Sequence, residues 1–276
     1  MQTIAYLGPE KTNAHLAAKA RFGEKAKYVH VPTIDDVFFF IERRQADYGV
    51  VPIENSLEGA VTHTLDRFVD FIDTPVKIQG EVERPIRHYL ITHPGSSLLK
   101  IRVVYSHPQA LAQCRHWLSQ NLPHANRREA NSTADAVWYV LNDKNKMTRA
   151  AIGLRSVAKK NDLNAVEIAT DRENKTRFLI IGLAKPKRGR KNKTSIIFAC
   201  KDKPGALHDA LMPFKRQKIN LTKIESRPSK KKAWEYLFFI DIEGHESEPR
   251  VKRALKALQK STSLLRVLGS YPVHRS

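Results

Sequence analysis

Three short stretches place hydroxyl and amide side chains where an apolar strand ends and a helix begins: Glu54-Asn55-Ser56, Ser106-His107-Pro108 and Asn131-Ser132-Thr133. Ser56, Ser106 and Ser132 stand at expected helix N-caps, and Pro108 falls near a first helical turn. A helix start offers unpaired backbone N–H groups and a partial positive charge, so several together suit a carboxylate ligand. Each serine taken singly is equally well read as an ordinary cap, and so are Gln109 and Thr133 at the same starts. Their repetition points to a small anionic ligand. Thr176-Arg177 adds a hydroxyl able to orient and donate, followed by a fixed positive charge with a planar fork of donors. The same pair also reads as the start of a strand with Arg177 in solvent. Glu54 and Glu58 are secondary acid–base candidates, with Glu58 equally suited to a salt bridge along its helix. His88 and His107 could serve as acids, but their apolar neighbours favour a structural role.

The elements that must position these residues alternate through residues 1–183. Strands are predicted at Ile4–Leu7, Tyr48–Ile53, Ile101–Tyr105 and Arg127–Ala130. Each leads into a helix: around His15–Arg21, then Leu57–Phe71, Gln109–Ser119 and Ala134–Leu141. That alternation predicts a mainly parallel sheet covered on both faces, with ligands beyond the carboxyl ends of its strands. Residues 184–193, AKPKRGRKNK, lack apolar periodicity and read as a solvated basic linker. A second rhythm occupies 194–276. Strands Thr194–Cys200, Leu221–Ser226, Trp234–Ile242 and Leu264–Ser270 are interleaved with helices Ala206–Gln217 and Glu248–Lys260. That βαββαβ order is ferredoxin-like, in a domain small enough to bind or regulate rather than catalyse.

The chain has 276 residues, 41% of them hydrophobic, enough for two domains with ordinary cores. No apolar run approaches a membrane span. Met1 leads almost directly into a core strand with no secretory leader, so the expected address is cytoplasmic. Cys114 and Cys200 are isolated, form no metal-ligand or redox spacing, and are expected to be buried and inert. The formal charge of +20 would suit a nucleic acid, but it is spread out and accompanied by no nucleic-acid-binding signature. It therefore reads as a solvated basic surface.

Several stretches resemble one family when taken in order. They are VPIENSLEGAVTHTLD (Val51–Asp66), EVERPIRHYL (Glu81–Leu90), YSHPQALAQCRHWL (Tyr105–Leu118), NSTADA (Asn131–Ala136) and Thr176-Arg177-Phe178. GALH (Gly205–His208) and ESRP (Glu225–Pro228) follow. Nearly end to end, the chain resembles prephenate dehydratases with a C-terminal ACT domain. The resemblance implies an α/β fold: a periplasmic-binding-protein-like catalytic part of two subdomains around a cleft, then a ferredoxin-like ACT domain. It implies conversion of prephenate to phenylpyruvate, carbon dioxide and water without cofactor or metal. Thr176, Arg177 and Phe178 would be catalytic, with Thr176 contacting the departing hydroxyl. Thr12, Asn55, Ser56, Ser106, Gln109, Ser132 and Thr133 would bind substrate. Phenylalanine would inhibit from a site near Gly205, Ala206, Leu207, His208, Asn220, Glu225, Ser226, Arg227 and Pro228, in a homodimer or homotetramer. Arogenate as substrate, and a non-catalytic amino-acid sensor, are the alternatives.

One segment departs from the family. Where Gly-Pro-x-Gly-Thr-Phe-Ser is usual, the chain has Gly8-Pro9-Glu10-Lys11-Thr12-Asn13-Ala14. Thr12 is kept, while a glycine, an aromatic and a hydroxyl are lost. Lys11 implies that the loop has no need of a glycine-only backbone angle, or has shifted. It either brings a cation to a carboxylate or lies exposed in the loop.

Overall fold

A computed structural model describes residues 1–70, 73–168, 174–186, 188–201, 203–229 and 235–273. Phe71, Lys187 and Trp234, which belong to the predicted helix, linker and strand, lie outside the described residues. In chain order come β1 (Thr3–Leu7), α1 (Asn13–Phe22), β2 (Lys27–Val31), α2 (Ile34–Glu42), β3 (Tyr48–Asn55), β4 (Gly59–Ala60), α3 (Thr62–Asp70) and β5 (Lys77–Pro85). Then follow β6 (His88–Thr92), β7 (Val103–Ser106), α4 (Pro108–Gln113), α5 (Arg115–Asn121), β8 (Asn126–Glu129), α6 (Thr133–Asn142), β9 (Arg149–Gly153), α7 (Arg155–Lys160), β10 (Asn164–Ile168) and β11 (Lys175–Gly182). The last are β12 (Asn192–Cys200), α8 (Ala206–Arg216), β13 (Leu221–Pro228), β14 (Tyr236–Glu243), α9 (Pro249–Ser261) and β15 (Thr262–Pro272).

These elements form two compact units. The first holds residues 1–7, 17–83 and 177–276, and the second holds 8–16 and 84–176. The first contains two sheets, ordered β2-β1-β3-β11-β5 (with β4 on β3) and β13-β14-β12-β15. The second has a single sheet, β10-β6-β9-β7-β8. The sheets are mixed rather than mainly parallel. β1 runs parallel to β2 and β3, and β7 to β8 and β9, whereas β6 is antiparallel to β9 and β10.

Local chemistry explains the elements that matter here. Helix α2 begins at a capping box: Asp36 N–H donates to Thr33 Oγ1 at 3.1 Å and Thr33 N–H to Asp36 Oδ2 at 3.1 Å. Its buried residues Ile34, Val37, Phe38 and Ile41 recur at helical spacing and face the core. In the second unit, strand alternation fills both faces of the sheet. Ile91 and Ala151 pack with Val137 and Ala158 on one side, and Leu90, Val104 and Ile152 with Leu111 and Leu118 on the other.

The four-stranded antiparallel sheet has the predicted ferredoxin-like order, and its two faces bury different things. Ile196, Phe198, Ile240 and Ile242 lie under α8 and α9. Ile197, Ala199, Phe239 and Leu268 belong to a core shared with Val51 and Ile78 of the other sheet in this unit and with Leu65 and Phe68 of α3. The basic stretch 184–193 therefore marks a change of rhythm, not a separation between independent cores, and Asn192 and Lys193 already belong to β12.

Gly269 on β15 lies directly against Ile78 of β5. A Cβ there would stand 2.2 Å from the Ile78 carbonyl oxygen and 2.8 Å from Ile78 Cβ. Because the obstacle is backbone, a substitution forces the sheets apart. Gly269→Ala is expected to lower the unfolding free energy by about 2 kcal/mol or more, read as a fall in the urea midpoint at unchanged slope.

Candidate functional site

Arg177 lies inside β11 and is 5% exposed. Its Nε donates to Glu54 Oε1 at 2.7 Å, and its Nη1 donates to Glu81 Oε2 and Asp241 Oδ2, each at 2.7 Å. Lys193 Nζ joins Glu81 at 2.7 Å, and Lys223 Nζ donates to Glu54. Asp241 also accepts from Ser195 Oγ at 2.5 Å, which lies 2.9 Å from the Tyr271 hydroxyl. Burial disfavours the Arg177 charge, but the carboxylates of Asp241, Glu81 and Glu54 outweigh it and raise its pKa further. Burial likewise works against the Glu54 carboxylate, yet Arg177 and Lys223 hold it below the usual range. Tyr271 is driven well above its ordinary value, first by burial and then by Asp241 and Glu81, and stays a neutral phenol. A cavity of about 960 Å³ opens beside this cluster, with Glu54, Glu81, Arg177, Lys193 and Thr222 in its wall.

The fork predicted to hold a substrate carboxylate is thus occupied by carboxylates of the protein itself. A guanidinium buried in apolar strands needs such partners or would not remain buried. Phe178, the next residue, is 2% exposed, so its ring is core and presents no open face.

Asn55 and Ser56 do not open a helix. Asn55 Oδ1 accepts from Leu57 N–H at 3.0 Å and Glu58 N–H at 3.2 Å, forming an Asx turn. Strand β4 then folds back on β3, pairing Ala60 with Glu54 and Gly59 with Asn55. Gly59 has φ of 83°, which suits this tight reversal. The helix expected from Leu57 therefore begins only at Thr62, and Ser56 is exposed in the turn rather than acting as an N-cap. The spacing of Asn55 and Gly59 is the turn signal that identifies this hairpin.

The other predicted substrate residues belong to the second unit, together with Thr176. Ser106 is the last residue of β7, not a cap, and its fully buried hydroxyl donates to the Ile152 carbonyl at 2.8 Å. His107 takes the cap position of α4, its Nδ1 accepting from Gln109 N–H at 3.3 Å, while Gln109 is exposed. Ser132 caps α6 as predicted, accepting from Asp135 N–H at 3.0 Å, with Thr133 half-buried at the first position. His88 is tied to Gln113 at 2.5 Å, a structural role. Thr12 Oγ1 accepts from His15 N–H at 3.4 Å at the start of α1, and Thr176 is half-buried at the start of β11.

Lys11 departs from expectation in a specific way. Its φ is 64°, so the loop keeps a left-handed backbone angle and a lysine adopts it. Its N–H donates to His15 Nδ1 at 2.8 Å. The residue is half-buried, and desolvation followed by the nearby Lys160 lowers the pKa of its ammonium.

In the C-terminal domain, Gly205 stands before α8 with φ of 77° and open space where a Cβ would be. The backbone angle, not crowding, calls for glycine there. Ala206 is buried, Leu207 half-buried, and His208 and Asn220 exposed. Strand β13 alternates strictly. Lys223, Glu225 and Arg227 are half-buried, while Thr222, Ile224, Ser226 and Pro228 are exposed. Arg227 Nε and Nη2 donate to Asp66 Oδ1 of α3 at 3.0 and 2.8 Å.

Sequence reasoning missed Glu81, Lys193, Lys223 and Asp241. The available signal was a charged residue inside an apolar strand, most plainly Asp241 in YLFFIDIE. Cys114 is fully buried and its thiol is pushed up to about 12 by burial, whereas Cys200 is only half-buried. Among the described residues no helix is long and apolar enough to cross a membrane.

Comparison with known proteins gives the family. The prephenate dehydratase family model matches residues 4–186, and the ACT domain model matches 194–259. A bifunctional chorismate mutase/prephenate dehydratase of Aquifex aeolicus is 48% identical over 271 residues, 98% of this chain and 73% of that protein. A prephenate dehydratase of Methanocaldococcus jannaschii is 43% identical over 246 residues, 87% of this chain and 86% of that protein. The crystal structure of a prephenate dehydratase from Arthrobacter aurescens in complex with L-Phe superposes with a TM-score of 0.87 at 33% identity, covering 98% of this chain and 89% of that one. The chain belongs to the prephenate dehydratase family, with a dehydratase region followed by an ACT domain.

Proposed function

We propose that this chain converts prephenate to phenylpyruvate, with Thr176 as the catalytic hydroxyl, and that phenylalanine inhibits it through the ACT domain. The observation that carries the activity is the family match across residues 4–186. The reaction breaks the bond from the ring to one carboxylate, which leaves as carbon dioxide. The released electron pair aromatises the ring and expels the ring hydroxyl, which takes a proton and departs as water. Aromatisation supplies the driving force, so catalysis rests on helping the hydroxyl leave.

Thr176 serves by donating a hydrogen bond to that oxygen. An unperturbed threonine is a poor acid, and its value lies in orientation. Arg177 acts as a positioning residue, because its Nε and Nη1 already donate to Glu54, Glu81 and Asp241. Substrate carboxylates are received by backbone N–H groups and side chains at Thr12, Asn55, Ser56, Gln109 and Thr133. Ser132 joins them, since its Oγ accepts from Asp135 N–H and its O–H can still donate, whereas the Ser106 hydroxyl already donates to the Ile152 carbonyl and supports this from behind. No cofactor enters the reaction.

The effector reading rests on the ACT match, the Gly205–His208 and Glu225–Pro228 segments, and the L-Phe in the Arthrobacter relative. Paired ACT domains in a dimer or tetramer would frame the ligand, and a cytoplasmic location suits a pathway enzyme with free thiols.

The test is to follow phenylpyruvate from prephenate, and phenylalanine from arogenate, with and without added phenylalanine. Thr176→Ala is expected to lower kcat by about 100-fold or more with the fold intact by circular dichroism. Near wild-type turnover in that variant, or faster turnover of arogenate, would revise the assignment. Calorimetry on the whole chain should show phenylalanine binding that prephenate weakens by the same factor as phenylalanine weakens prephenate. Relief of the left-handed angle makes Lys11→Gly stabilising by about 1 kcal/mol, seen as a higher Tm.

A further inference from the structure

We propose that Lys223 is a positioning residue through which the effector strand of the ACT domain, when phenylalanine binds, shifts the Asn55 turn and Thr176. The proposal rests on the reading of Thr176 as catalytic and of Glu225–Pro228 as the effector segment. Lys223 lies outside that segment and touches none of the groups assigned to the substrate.

Three observations carry it. First, Lys223 shares the half-buried face of β13 with Glu225 and Arg227, because alternate residues of a strand point the same way. A ligand that re-seats Glu225–Pro228 therefore moves Lys223 with the strand. Second, Lys223 Nζ donates to Glu54 Oε2, and Glu54 directly precedes Asn55, whose side chain holds the β3–β4 turn. Third, the other oxygen of the same carboxylate accepts from Arg177 Nε at 2.7 Å, and Arg177 directly follows Thr176. One carboxylate thus receives the regulatory strand on one oxygen and the catalytic strand on the other.

The two oxygens differ in what their loss would do. Removing Lys223 leaves the bonds of Arg177 to Glu54, Glu81 and Asp241 in place, so the turn and β11 keep their basal geometry. What disappears is the tie from β13. Arg227 still holds β13 to Asp66, so the strand itself stays docked.

The experiment measures kcat and KM for prephenate across a phenylalanine series, with calorimetric phenylalanine affinity, on the full chain. It compares wild type, Lys223→Met, Lys223→Gln and Lys223→Arg. The expected result for Met and Gln is kcat without phenylalanine and phenylalanine affinity within about twofold of wild type, with the inhibitory coupling reduced about tenfold. Lys223→Arg should restore most of the coupling. Undiminished inhibition in whichever of Met or Gln folds overturns the proposal. So does loss of phenylalanine binding, which would place Lys223 in the effector site, or loss of turnover without phenylalanine, which would make it purely structural. A wild type without turnover or without inhibition sinks the parent reading, and this one with it.

Discussion

A guanidinium buried among strands has to be neutralised on the spot, and that requirement organises the first unit. Arg177 meets Glu54, Glu81 and Asp241, while Lys193 and Lys223 balance the carboxylates that Arg177 alone cannot. Desolvating so many charges is costly, and the cluster is tolerable because each group has short, charge-assisted bonds. Its members come from β3, β5, β11, β12, β13 and β14, so correct pairing requires both sheets of this unit to be in register. An apolar cluster of the same volume would cost less to bury, so the charges are no source of large net stability.

Around that polar knot the packing is ordinary. Alternate residues of β12 and β14 divide the ferredoxin-like sheet into a helix-covered face and a face built into the neighbouring sheet. Gly269 lets β15 lie directly on β5 where any side chain would hold them apart. The second unit follows a simpler plan, one mixed sheet with helices on both faces and its own two clusters. Its polar residues at strand ends are partly consumed in maintaining it, as Ser106 shows by bonding to the Ile152 carbonyl.

Much of the fold was legible because periodicity reports which face is buried. The strands ending near Leu7, Ile53 and Tyr105, the helix capped by Ser132 and the whole βαββαβ order follow from it. The site was legible less evenly. Thr176 and the effector segments are marked only by the family resemblance, and the role of Arg177 is not marked at all, because a strand arginine looks the same whether it faces solvent or three carboxylates. The Asn55 turn was hidden by a serine that mimics a cap, although Gly59 four residues on marks a reversal. Lys11 concealed its backbone angle, since only glycine advertises a left-handed position. Contacts distant in sequence, such as Arg177 with Asp241, leave no periodic trace at all.

The sharing of one sheet face between the ACT domain and its neighbour has a consequence for modularity. Small ligand-sensing domains are commonly pictured as cassettes that evolution attaches and detaches. Here exchange of the cassette would expose Val51 and Phe68 on one side, Ile197 and Phe239 on the other, and would leave Arg177 without Asp241. A chimera assembled from two relatives would therefore have to carry the lobe-facing residues of β12, β13 and β14 together with their counterparts on β3 and β5. Inheritance along this lineage is expected to couple those positions, so that the sensor and the enzyme diverge as a single block.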